Sequence, residues 1–131
     1  MSVLNRISDI LTELSHDAEV PMEGVWYGAC REKSLDRWNY FVFNRLKTAK
    51  KSATTQNDYQ TFYQVHIIHE DYIPEGYVER VIEALTAKDP ETGIKIRPTN
   101  DDVTYDYTFK GSTNMVVEIA TITVFRPEKR C

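Results

Sequence analysis

Tyr59-Gln60-Thr61-Phe62-Tyr63-Gln64-Val65-His66-Ile67-Ile68-His69 is a run of aromatic and β-branched residues. Within it Tyr63, Val65 and Ile67 alternate with Gln64, His66 and Ile68, which is the period of two that a strand imposes on its two faces. On the N-terminal side, Asn39 to Leu46 repeats the pattern, with Tyr40, Val42 and Asn44 facing one way and Phe41, Phe43 and Arg45 the other. Between them, residues 47 to 58 contain no large apolar side chain and are rich in Lys, Ser, Thr, Asn and Gln, so a long exposed loop or hairpin tip is expected there.

Two amphipathic helices flank these strands. Val3, Leu4, Ile7, Ile10, Leu11 and Leu14 form an i, i+3, i+4, i+7 stripe behind a Ser2 N-cap, with Asn5, Arg6, Asp9, Thr12 and Glu13 on the other face. Val78, Val81, Ile82 and Leu85 repeat the spacing after Pro74, up to Asp89-Pro90 and Gly93. Val25-Trp26-Tyr27 is a short strand or packed loop, Ile94 and Ile96 suggest a short strand stopped by Pro98, and Val103 to Phe109 a further one. In the last strand, Met115 to Phe125, Val117, Ile119, Thr121 and Thr123 lie opposite Val116, Glu118, Ala120, Ile122 and Val124.

The implied fold is α+β: a single mixed or antiparallel sheet of about five strands with two amphipathic helices packed on one face. Residues 1–131 read as one domain, a size that closes a core without metal or disulfide. The other sheet face is expected to carry Phe41, Phe43, Ile68, Ile122 and Val124 or their partners, enough apolar surface to call for another subunit.

Bulk composition narrows the function. With 41% hydrophobic and 27% charged residues the chain is ordinary globular protein, and its formal net charge of -4 argues against a dedicated nucleic-acid binder. Cys30 and Cys131 read as free thiols. No basic and apolar leader is present, and no apolar run approaches the ~20 residues that cross a bilayer. The expected setting is a reducing cytoplasm, or a particle assembled there, without membrane contact.

Catalytic chemistry finds little to rest on. His66 and His69 stand three apart on a strand and so face opposite ways, and His16 adds no ligand spacing, so no metal is expected. Glu70, Asp71, Asp101, Asp102, Asp106 and Glu118 are plentiful acids, yet neither Glu91 with Lys95 nor Asp106 with Lys110 makes the acid-and-lysine spacing of a metal-dependent nuclease. Arg31 and Lys33 flank Cys30, but nothing ties a histidine base to it. Phosphate loops, Gly-x-Ser-x-Gly elbows and Cys-x-x-Cys pairs are lacking, so neither a cofactor nor an enzymatic activity is expected. Charge is distributed unevenly instead: no acid occurs from Arg37 to Asn57, whereas Glu70 to Asp106 is predominantly acidic. Arg45, Lys47, Lys50 and Lys51 therefore become the candidate assembly interface, basic loop against acidic edge of a neighbouring copy, or a surface facing DNA.

With these elements in place the chain resembles the tail-terminator, or tail-completion, proteins of siphophages, close in plan to the lambda type. The matching features are the helix Val3 to Leu14, the segment Val20-Pro21-Met22-Glu23-Gly24-Val25-Trp26-Tyr27-Gly28 and the strand Arg37-Trp38-Asn39-Tyr40-Phe41-Val42-Phe43. Tyr63-Gln64-Val65-His66-Ile67 leading into the Val78 to Leu85 helix, and the closing strands from Tyr105-Asp106-Tyr107 to Phe125, complete the match. The resemblance spans nearly the whole chain and rests on element order and aromatic strands, not on an invariant signature. It implies a homo-hexameric ring in the virion, at the head–tail junction, that docks on the tail tube protein, ends tail growth and meets the head–tail connector protein. DNA in the channel is a further contact it implies. Two alternatives share the size range: another neck, head-completion or minor capsid component, and, from a different class, a small metal-dependent nuclease or nucleic-acid-binding module.

Overall fold

The computed structural model describes residues 2–32, 35–50, 59–87 and 93–126. Helix α1 spans Val3–Ser15, and the Ser2 hydroxyl accepts from the Asn5 amide at 3.1 Å, closing one of the free N–H groups of its first turn. Strands β1 (Val25–Tyr27), β2 (Tyr40–Lys50) and β3 (Tyr59–Glu70) follow, then helix α2 (Tyr77–Thr86) and strands β4 (Arg97–Pro98), β5 (Thr104–Phe109) and β6 (Val116–Phe125). They form a six-stranded sheet ordered β1-β2-β3-β6-β4, with β5 also on β6. β1 lies parallel to β2 and every other pair is antiparallel, so the sheet is mixed. The fold is α+β, as the alternation and the two helical stripes imply.

Both helices cover the same face. Val3, Ile7, Ile10 and Leu11 of α1 and Tyr77, Val78, Val81 and Leu85 of α2 are buried in one cluster with Phe41, Phe43, Tyr63, Val65, Ile67, Ala120, Ile122 and Val124 of the sheet. Pairing fixes these rows: Phe43 is opposite Val65, and Val65 is opposite Ile122. Each such side chain, fully buried, contributes roughly 1.5–3 kcal/mol before entropy is counted. The helices are joined beyond the core by an ion pair from Arg80 to Asp17. Gly76, at φ 84°, precedes α2 in the left-handed region and turns the chain into the helix at a backbone angle that side chains disfavour.

Three expectations need correction. Phe41, Phe43, Ile122 and Val124 belong to the helix-covered core, while of that set Ile68 alone faces the opposite side, because the register sets Ile68 beside Tyr40 and Ile119. Ile94 and Ile96 are buried core residues outside any strand, and the strand is Arg97–Pro98; Pro98 is tolerated because β4 is an edge with no second neighbour to bond. Lys47 to Lys50 are not loop but the end of β2, held by pairing with Tyr59 to Phe62.

Candidate assembly surfaces

The described candidate basic residues lie at the end of β2, where it runs out into an arm. β6 pairs with β3 only as far as Phe62 opposite Phe125, so the pairs Thr48–Thr61, Ala49–Gln60 and Lys50–Tyr59 form a two-stranded ribbon beyond the body of the sheet. Thr48 and Thr61 hydroxyls meet at 3.0 Å across it, the cross-strand contact that β-branched polar residues favour. A register shift between Arg45 and Lys47 marks a bulge at Leu46, which turns successive side chains to new sides. Arg45 consequently shares the helix-side face with its partner Tyr63, whereas Lys47 falls with Phe62 and places its ammonium 5.1 Å from that ring's centroid. Arg45 and Lys47 thus lie where β2 leaves the body of the sheet, on its two faces, Lys50 lies on the ribbon on the same side as Arg45, and Lys51 lies outside the described residues.

The uncovered face of the sheet is largely polar. Val42, Ile68 and Val117 form a small buried cluster there, shielded by Trp38, Tyr40 and Ile119. Beside it Asn44, Gln64, His66 and Thr121 are linked across three strands: Asn44 bonds Gln64 at 3.1 Å and His66 at 2.8 Å, and His66 bonds Thr121 at 2.9 Å. Burial pushes the His66 imidazole below its ordinary value, against the opposing pull of the Asp106 charge. His69, further along β3 than His66 and on the other face, uses Nδ1 on the Glu70 carbonyl at 2.7 Å. Glu70 accepts from the Trp38 amide at 3.0 Å and pairs with Lys110 at 2.5 Å. Burial raises the Glu70 carboxyl, but the Lys110 and Trp38 hydrogen bonds and the Lys110 and Arg37 charges together hold it below the usual carboxylate range. Glu70 is therefore in a structural network, and among the described residues no group of three or more His, Cys, Asp or Glu is placed to hold a metal. Cys30 is a free thiol donating to the Glu32 carbonyl at 3.6 Å, and Cys131 lies outside the described residues.

Exposed apolar surface is concentrated elsewhere, on β5. All six residues of that strand are exposed. Tyr105 is opposite Ala120, a core residue, so Tyr105, Tyr107 and Phe109 share the helix-side face at 46%, 64% and 59% exposure. Val116, opposite Phe109, and Tyr72, in the link before α2, extend the patch. The hydrogen bond to Glu118 pushes the Tyr107 hydroxyl above its ordinary value, with partial desolvation and the Glu118 and Tyr105 charges adding to it. Such a stripe on a sheet edge, rather than the open sheet face, is the surface that a partner would cover. The alternation Tyr105, Tyr107, Phe109 is the sequence signal for it, yet an alternating aromatic strand reads the same whether its apolar side meets a helix or water.

Among the described residues no helix is long and apolar enough to cross a membrane. No family model and no curated protein matches the chain. Among solved structures, one chain whose name describes no activity superposes with a TM-score of 0.54 at 12% identity, covering 98% of this chain and 96% of its own length. At that identity the likeness is one of fold alone.

Proposed function

We propose that the chain is a structural assembly protein of a phage virion, a ring-forming tail terminator that caps the tail tube, ends its polymerisation and offers the joining surface for the head connector. The observation that carries this reading is the placement of two unlike surfaces on one small α+β domain: a basic ribbon at the end of β2 and β3, and an exposed aromatic strand, β5, across the sheet. Unlike surfaces on opposite sides favour head-to-tail contacts, and such contacts close into rings when the rotation per copy allows. The order of helices and aromatic strands matches the resemblance to tail terminators, which supplies the count of six and the site at the head–tail junction. In this reading the chain acts by contact rather than catalysis, and the arm meets either a neighbouring copy or DNA in the channel.

Two measurements test it. Sedimentation across a concentration series, alone and with purified tail tubes, should show a ring that forms at high concentration or on docking. Electron microscopy of particles made without the protein should show tails of uncontrolled length that fail to join heads. Tails of normal length, joined to heads in its absence, would refute the terminator role.

A further inference from the structure

A groove runs between the start of α2 and β5, lined by Tyr72, Tyr105, Ile73, Glu75, Glu79 and Glu118 among others, with no basic side chain in its lining. Glu118 is occupied, since it accepts from the Ile73 amide at 2.9 Å and bonds Tyr107. Among the described residues Glu75 and Glu79 have no ion-pair partner. Exposed tyrosine rings beside free carboxylates are the chemistry that receives Lys or Arg, the ring face attracting the cation and the carboxylate neutralising it. The same chain carries the complement: Arg45 and Lys50 lie on the helix-side face of the end of β2, in a stretch from Arg37 to Asn57 that has no acid.

One copy cannot make this contact with itself. β3 and β6 separate β2 from β5, a span of ~14 Å at the usual strand spacing. Lys47 pairs with Phe62 at one end of β3, whereas Glu118 pairs with His69 near the other, ~23 Å further along the strand. The arm is fixed to the sheet by paired backbone and cannot fold back over that distance.

We propose that the β2 arm and its base in one copy seat Lys50 and Arg45, which share the helix-side face, against Tyr72, Tyr105, Glu75 and Glu79 of a second copy, and that this is the repeating contact of the assembly. The inference rests on the self-assembly proposed above and names the surfaces that perform it. Its occupant follows from charge complementarity: an aromatic groove edged with acid on one side of the domain, and Arg45 and Lys50 in an acid-free stretch on the other.

The test is an exchange of charges. An arm variant, R45E/K50E, and a groove variant, E75K/E79K, each set like charges against like, so each alone should need roughly tenfold or more protein to assemble than the wild type does. Mixed in equal amounts, reversed arm meets reversed groove and native arm meets native groove, so the mixture should assemble near the wild-type concentration. Carbodiimide coupling of unaltered protein, using a mixture of isotope-labelled and unlabelled copies, supplies a readout independent of variant folding: it should join Lys50 of one copy to Glu75 or Glu79 of another. Wild-type protein that assembles while both variants assemble equally well, or whose mixed variants stay apart, or that yields no such cross-link, overturns this contact and leaves self-assembly standing. Wild-type protein that stays monomeric at every concentration and on tail tubes overturns the self-assembly as well.

Discussion

The Asn44 side-chain oxygen lies 2.8 Å from His66 Nε2, while the Asn44 amide nitrogen donates to the Arg45 carbonyl at 3.2 Å and to Gln64 Oε1 at 3.1 Å. A backbone carbonyl only accepts, so the amide orientation is settled and the oxygen must face the histidine. His66 therefore carries its proton on Nε2 and accepts at Nδ1 from the Thr121 hydroxyl, 2.9 Å away. The ring is fully bonded in its neutral form, on a sheet face that helices do not cover.

That arrangement makes stability depend on pH with a definite sign. Burial lowers the folded-state value of His66 below 6.5, so the unfolded chain takes up the proton first as pH drops. The contribution is complete above about pH 6.5 and is lost as pH falls through the folded value. His66→Ala should lower stability by about 1–3 kcal/mol at neutral pH, by leaving Asn44 and Thr121 without their partner. The gap between wild type and variant should narrow on acidification, which thermal melts from pH 8 to pH 5 will measure.

Lys110 and Glu70 give a second, acid-side dependence. The Glu70 carboxyl is held below its ordinary value of 4.5, so its contribution is present above that pH and lost as pH falls through the folded value. Lys110 also donates to the Asp36 carbonyl at 2.5 Å, and so ties the β5–β6 turn to the segment before Trp38. Lys110→Met should destabilise by about 1 kcal/mol at neutral pH, the upper end for a pair that is still partly solvated. Glu70 would then lose the Lys110 hydrogen bond and charge that help hold its carboxyl down, so chemical denaturation at pH 7 and pH 4 should show the difference shrinking at the lower pH.

Tyr77 is 2% exposed and stacks on Phe41 at 6.4 Å between centroids, but its hydroxyl is buried with no hydrogen-bond partner among the described residues. Removing an unpaired buried hydroxyl while keeping the ring should stabilise the fold, so Tyr77→Phe is expected to gain about 1 kcal/mol. Burial also pushes the phenol up to about 12 from 10.0, so its contribution is complete below pH 10 and disappears as pH rises through 12. The Phe variant should lose less stability across that alkaline range, as urea melts at pH 8 and pH 11 will reveal. A variant less stable than wild type at pH 8 would mean that the hydroxyl is bonded after all.

Leu11 is completely buried between α1 and the sheet. Leu11→Ala should cost about 2–5 kcal/mol, the range for a core leucine whose surroundings relax only in part. Leu11→Asp should leave no soluble folded protein, because a charge there has no partner. An Asp variant that melts cooperatively near the wild-type temperature would place α1 outside the core.

Much of this architecture is legible from local chemistry, and its errors have specific causes. The Val3 to Leu14 stripe and the Tyr63 to Ile68 alternation each report a single element's buried side, and both hold in the structure. Lys47 to Lys50 look like loop because polar side chains dominate them, whereas backbone pairing to Tyr59 to Phe62 keeps them in strand whatever their polarity. The same pairing, with its bulge at Leu46, splits Arg45 from Lys47, which a simple alternation places on one side. Pro98 was expected to end a strand and instead lies in one, because only a sheet edge makes its missing N–H harmless.

Local sequence patterns alone determined the α+β class, both helices with their buried stripes, the strand alternation and the acid-free stretch from Arg37 to Asn57. Those are properties of neighbours along the chain, and a period of 3.6 or 2 exposes them directly. Only the tertiary structure decided which alternating face is wet. Phe43, Val65 and Ile122 fall under the helices and the Asn44–His66–Thr121 network lies on the open side because β2, β3 and β6 meet in one particular register. The aromatic side of β5 stays exposed because its strand lies at the sheet edge, beside the start of α2 rather than beneath it. Alternation says that a strand has two sides; which side meets water depends on long-range pairing that no local window contains.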